Sequence, residues 1–288
     1  MKSNYLLKVM CPWQLITLCL FSAVIITGCG SGSSTTAGVG SGGTGTLAKI
    51  SGTVADGYLV NATVFLDKNG NYQLDAGEPF TATDANGSYT LEIDSTDVGN
   101  YPIVAHAIKA VTIDKDNGQP LTSSYVLSLP KNSVHGTVSN FISPLTSQIR
   151  EMMETGEYTS LQHASDTLSN KLGLTAGTDI MGDYIYANNA SIHAVAQNMA
   201  TVMGNQMDLV LGTNGSTITV DVNRYRGMMG TIYNDMSSSW CQYPQSGMSN
   251  FSNSMTTMLS GMSTTPTGQP YWDMSTAYWN MTGGMMGR

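Results

Sequence analysis

Cysteine and positive charge are both scarce in this chain. Four cysteines occur in 288 residues, at positions 11, 19, 29 and 241, too few for the disulfide framework of a small secreted scaffold. Lys and Arg number 12 against 20 Asp and Glu, a net charge of −8. A surface of that sign repels a phosphate backbone, which argues against nucleic acid as a partner. Catalytic signatures are missing as well. There is no Gly-x-Ser-x-Gly elbow, no phosphate-binding loop and no Cys-His motif, so the reading is that this is not an enzyme. The four histidines, His106, His135, His163 and His193, include no pair at the i, i+4 spacing of a helical zinc site and read as structural. After residue 26 no further apolar run is long enough to cross a membrane.

What is present begins with Lys2 and Lys8, an apolar run over 15–26 and then small residues, the three-part layout of an export signal. The run ends at Ile26-Thr-Gly-Cys29. This resembles the lipobox of bacterial lipoproteins, which implies cleavage after residue 28 and acylation of Cys29. Because each buried methylene contributes about 0.8 kcal/mol, several acyl chains make attachment effectively permanent. The expected address is the cell envelope, with the chain lipid-anchored, and Gly30 in the next position favours the outer membrane or cell surface. Residues 29–46 read as a Gly/Ser-rich tether. Loss of residues 1–28 removes Lys2 and Lys8 but no acidic group, making the mature chain more acidic still. Cys241 is then the single remaining thiol, and no intramolecular disulfide is expected.

From Leu47 the pattern turns to short β-rich runs between Asn, Asp and Gly clusters. Strands are expected at 48–54, 62–66, 80–83, 88–93, 103–113 with a break, and 121–129, a spacing that suggests a β-sandwich over 47–130. Asp84-Ala-Asn-Gly87 reads as a tight hairpin turn. An α-helical region is expected over 131–212, since 141–153, 161–172 and 190–211 repeat apolar residues three or four apart. Ser143-Pro144 is a plausible helix start. Over 213–288 the chain is rich in Met, Ser and Gly and carries Trp240, Trp272 and Trp279. An irregular region is expected there, with one short helix near 251–262. The fold class is therefore mixed: an Ig-like or transthyretin-like β-sandwich, a small helical region and an irregular Met-rich C-terminus.

The strongest chemical pattern is Asp67-Lys-Asn-Gly-Asn-Tyr-Gln-Leu-Asp-Ala-Gly-Glu78. Twelve residues place oxygen donors Asp67, Asn69, Asn71, Asp75 and Glu78 at positions 1, 3, 5, 9 and 12, with the Gln73 carbonyl at position 7. Such spacing wraps a loop around one hard cation, and calcium accepts six to eight oxygens in an irregular shell. Tyr72 occupies the sixth position, where Gly is usual. With only three carboxylates, an affinity of roughly 0.1–1 mM is expected. Ser51-Gly-Thr-Val-Ala-Asp56, Asn61-Ala-Thr-Val-Phe-Leu-Asp67, Asp75-Ala-Gly-Glu-Pro79 and Thr83-Asp-Ala-Asn-Gly-Ser-Tyr89 together resemble the B-type repeats of bacterial surface adhesins and the carboxypeptidase-regulatory-like, prealbumin-like domains. The resemblance covers about 80 of the 288 residues. It implies a seven-stranded sandwich, a calcium-stiffened loop, no catalysis, and a structural or adhesive role with an envelope or matrix partner. Residues 140–146 and the helices after them resemble, more weakly, the region that follows this domain in lipoproteins of environmental Gram-negative bacteria.

Thirteen of the nineteen Met lie beyond residue 200. Thioethers suit Cu(I), which makes periplasmic copper handling the alternative function. Met199, Met203 and Met207, and likewise Met255, Met258 and Met262, also recur as one helix face would, which points to packing.

Overall fold

Two sheets that exchange no ladder hydrogen bonds carry the β-rich half. The computed structural model describes residues 46–136, 140–214, 217–237 and 248–261. In the first sheet, β1 (Leu47–Val54) lies between β5 (Ser88–Asp94), antiparallel to it, and β10 (Asn140–Ile142), parallel to it. In the second, β3 (Thr63–Leu66) and β6 (Ile103–Ala107) form the centre, flanked by β4 (Phe80–Ala82) and β9 (Tyr125–Leu129), all antiparallel. A small third sheet orders β2 (Leu59–Val60), β7 (Ile113–Asp114) and β8 (Gln119–Pro120).

Burial patterns explain this layering. Along β5, Tyr89, Leu91 and Ile93 are buried while Thr90 and Glu92 are exposed, the alternation of a strand with one wet face. In β6 and β9 every residue is buried, as expected of strands covered on both faces. Helix α1 (Pro144–Glu154) packs on β9 and is itself surrounded by three further helices: α2 (Leu161–Lys171), α3 (Ala190–Val210) and α4 (Val222–Asp235). Strands and helices share one hydrophobic core, from Ile50, Phe65 and Leu91 through Ile149 and Val195 to Met229. Among the described residues the fold is mixed, with several small sheets and five α-helices.

Local signals set the helix starts. Ser143 and Thr146 form a reciprocal capping box ahead of α1, with Pro144 in the first helical position. Ser160, Asn189 and Asp221 cap α2, α3 and α4 through side-chain acceptors.

Three expectations change. The stretch read as wholly helical also supplies β10 and β11 (Leu211–Asn214). At Gly52 an added Cβ would lie 1.8 Å from the Asn140 carbonyl oxygen, so only glycine lets β10 run beside β1. The turn at Asp84–Gly87 is closed by the Gly87 N–H on the Asp84 carbonyl at 3.0 Å, yet it does not make a hairpin. It connects β4 and β5, which belong to different sheets, β4 pairing with β3 and β5 with β1. Finally, the region expected to be irregular begins with a hairpin of β11 and β12 (Thr217–Val220), followed by α4. The last described element is α5 (Met248–Gly261), close to the short helix expected there. Cys29, Cys241, Trp240, Trp272 and Trp279 lie outside the described residues.

Candidate functional site

Between β3 and β4 the chain leaves the second sheet and returns to it, since the Leu66 N–H binds the Pro79 carbonyl at 3.0 Å. The intervening loop, 67–78, folds around its own polar side chains. The amides of Asn69 and Asn71 both donate to Asp75 Oδ2, at 2.8 and 2.7 Å. Asn69 Oδ1 accepts the Asn71 N–H, and Asn71 Oδ1 accepts the Gln73 N–H. Glu78 closes the loop, accepting the N–H of Lys68 on Oε1 at 2.7 Å and that of Asp75 on Oε2 at 3.0 Å. Burial, reinforced by the nearby charges of Asp67 and Asp75, raises the Glu78 carboxyl above its usual range, against the pull of those two N–H groups.

Asp67 opens the loop and is fully buried. Its Oδ1 accepts N–H groups from Gly70 and Asn71, and its Oδ2 accepts that of Tyr72. The same Oδ2 meets Arg150 Nη2 of α1 at 2.8 Å, with both side chains almost wholly removed from solvent. All six residues singled out by spacing are thus in one loop. Five are linked there through their side chains, whereas Gln73 takes part through its backbone N–H. Among the described residues no three His, Cys, Asp or Glu side chains form a metal-binding group; the donor set is a mixture of carboxylates, amides and a carbonyl.

Tyr72 explains the missing glycine. Its φ is +61°, the left-handed conformation that a glycine at this position would supply. The strain is offset by burial: the ring lies under the helices, 4.5 Å from the ring of Tyr225, with the Arg150 guanidinium 3.9 Å from its centroid. Its hydroxyl donates to Glu151 and its carbonyl is bonded by His106 Nε2 at 2.7 Å. Burial lowers the His106 pKa, so the ring is neutral and Nε2 is the donor.

Sequence spacing did not reveal the charged network behind Tyr72. Arg150 Nε binds Glu154 Oε1 at 2.8 Å, Arg226 Nη2 binds Glu154 Oε2 at 2.6 Å, and Arg226 Nε approaches Glu151 Oε2 at 3.6 Å. Burial pushes the Glu151 carboxyl up to about 7, opposed first by Arg226. The chain thus carries two arginines and two glutamates between the loop and α4. Only the i, i+4 pair of Arg150 and Glu154 leaves a trace in the sequence; the contact between Asp67 and Arg150 spans 83 residues. A cleft of about 420 Å³ opens beside this network, lined by Asp67, Lys68, Tyr101, Lys131, Arg150 and Glu154.

No family model, curated protein or solved structure matches the chain.

Proposed function

We propose that the chain is a non-enzymatic, calcium-binding lipoprotein, held in the envelope through Cys29, in which the 67–78 loop stiffens a β-sandwich module of the Ig-like or transthyretin-like kind. The observation that carries this reading is the loop itself, in which the Asn69 and Asn71 side chains gather on Asp75 and Glu78 closes the turn through the Lys68 and Asp75 N–H groups. Asp67, Asn69, Asn71, Asp75 and Glu78, with the Gln73 carbonyl, would hold the ion. A divalent cation would neutralise three neighbouring carboxylates, the charges of Asp67 and Asp75 adding to the burial that raises the Glu78 carboxyl. Because Asp67 is locked to Arg150, ordering the loop also orders the contact between the second sheet and α1. That suits a spacer, adhesive or envelope-interaction role better than chemistry.

Titration of the full chain in detergent with calcium, followed by calorimetry and thermal melting, tests the proposal. One site near 0.1–1 mM and a raised Tm are expected, both lost in Asp75→Asn. No heat and no change in Tm would overturn it. For copper handling, the described residues offer packing instead: Met199, Met203, Met207, Met228, Met229, Met236 and Met255 are buried in the core. The Met residues from 262 onward lie outside the described residues, and a parallel Cu(I) titration separates the two functions.

A further inference from the structure

A second polar centre lies away from this loop, in a cleft of about 490 Å³ between α3 and the β7–β8 hairpin. Asp56, Asp114, Asn117, Leu121, Tyr125 and Thr201 are among its lining residues. A smaller cleft shares Asp56, Asp114 and Thr201 and extends along α3 to Gln197.

Asp56 follows β1 in a turn anchored from outside. The Tyr184 hydroxyl bonds the carbonyls of Ala55 and Asp56 at 3.0 and 3.1 Å, and Tyr58 donates to Asp183 at 2.8 Å. At the next residue, Gly57, an added Cβ would lie 2.5 Å from Asp114 Oδ1 and 2.5 Å from Asp116 Cγ, so both carboxylate side chains close over this turn. Three carboxylates therefore crowd one turn, but they are not equivalent. Asp114 is engaged by the Asp116 N–H and the Asn117 amide. Asp116 is engaged by His193 Nε2 at 2.7 Å and Gln197 Nε2 at 2.8 Å. Asp56 is 8% exposed, and its Oδ2 accepts the Tyr125 hydroxyl at 2.8 Å. Its Oδ1 is buried and has no hydrogen-bond partner among the described residues. A buried carboxylate oxygen without a donor is unfavourable and calls for one.

The donor needed is positively charged, since the neighbouring carboxylates exclude an anion and no Lys or Arg is among the described lining residues. A bare divalent ion is a poor match. It wants six or more oxygens, whereas the other two carboxylates are already engaged by the Asp116 N–H, Asn117, His193 and Gln197. The volume instead falls in the range of small-molecule sites, and Pro120, Leu121 and Ala200 supply an apolar wall.

We propose that this cleft binds a small organic cation, whose protonated amine or guanidinium donates to Asp56 Oδ1 while its hydrocarbon part lies against Leu121 and Ala200. Burial raises the unliganded Asp56 carboxyl to about 7, with Asp114 and Asp116 adding to the effect, and a bound cation reverses that cost. The ligand is either a free amine or a basic side chain presented by a peptide.

The test is calorimetric titration of the full chain at pH 8 with 1,4-diaminobutane, with agmatine and, in a second arm, with the blocked tripeptides Gly-Lys-Gly and Gly-Arg-Gly; butanol serves as the neutral control and calcium chloride as the metal control. Saturable binding of a cation but not of butanol is expected, weakened at least about tenfold in Asp56→Asn. Thr201→Trp, at an exposed helical position on the rim, should block the cleft without touching the core. Tighter binding of the diamine or agmatine assigns the free amine, and tighter binding of a tripeptide assigns the basic side chain. Absence of saturable binding by any amine, affinity unchanged in both variants, or calcium uptake abolished by Asp56→Asn would overturn the proposal.

Discussion

The 67–78 loop and the Asp56 cleft both gather carboxylates against a sheet, yet they spend them differently. In the loop, Asp67 and Glu78 have each oxygen matched to a backbone N–H or to Arg150. In the cleft, Asp56 holds one oxygen in reserve. A carboxylate surrounded by donors from its own chain ties structure together and takes a cation only by sharing oxygens already in use, whereas one buried with an unanswered acceptor keeps a free lone pair for something else to bind. Asp67 is thus part of the joint between sheet and helices, and Asp56 is the open position.

The largest effect that would break this contrast comes from Arg150→Met. Removing the guanidinium strands Asp67 in the core, and a loss of about 3–5 kcal/mol in urea unfolding is expected; a loss below about 1 kcal/mol would mean the joint is not where stability resides. Next in size is the pH response of the cleft. Asp56 in the folded chain holds its proton up to about 7, against an ordinary value of 3.8. Between these limits the folded state binds a proton that the unfolded state has released, so stability falls as pH rises from about 4 to 7 and stays reduced above. Asp56→Asn does not ionise and should be more stable than the parent by about 4 kcal/mol at pH 8, the gap closing below about pH 4. A constant gap across that range would refute the reading.

Calcium sharpens the other side. At 10 mM calcium the loop should add about 1–3 kcal/mol to the parent and nothing to Asp75→Asn, with the two chains alike in chelator. Smallest is Tyr72→Phe, which deletes the hydroxyl bonded to Glu151 while keeping the ring under Arg150. A loss of about 1 kcal/mol is expected in thermal melts, and an unchanged Tm would show that the hydroxyl is dispensable.

Much of the architecture could be read locally. Short β-rich runs between Asn, Asp and Gly clusters placed β1 and β5, and three-four periodicity with a Ser143-Pro144 start placed α1, because these patterns depend on neighbours a few residues away. The loop donors were legible for the same reason. Helix α4 escaped notice although Asp221 caps it and Val222, Tyr225, Met229 and Ile232 recur at helical spacing. Gly227, Gly230 and the surrounding Ser- and Gly-rich composition masked the period.

Alone, then, the sequence determined many of the elements, the excess of acidic residues, the loop's oxygen spacing and the expectation of a lipid anchor at Cys29. Only the tertiary structure decided what those oxygens meet. Asp67 and Arg150 are 83 residues apart, and Tyr125 reaches Asp56 across 69. Hydrogen bonds and charge pairs act over a few ångströms of space, so no local pattern in the chain could show which carboxylate would be locked into the core and which would be left facing a cleft.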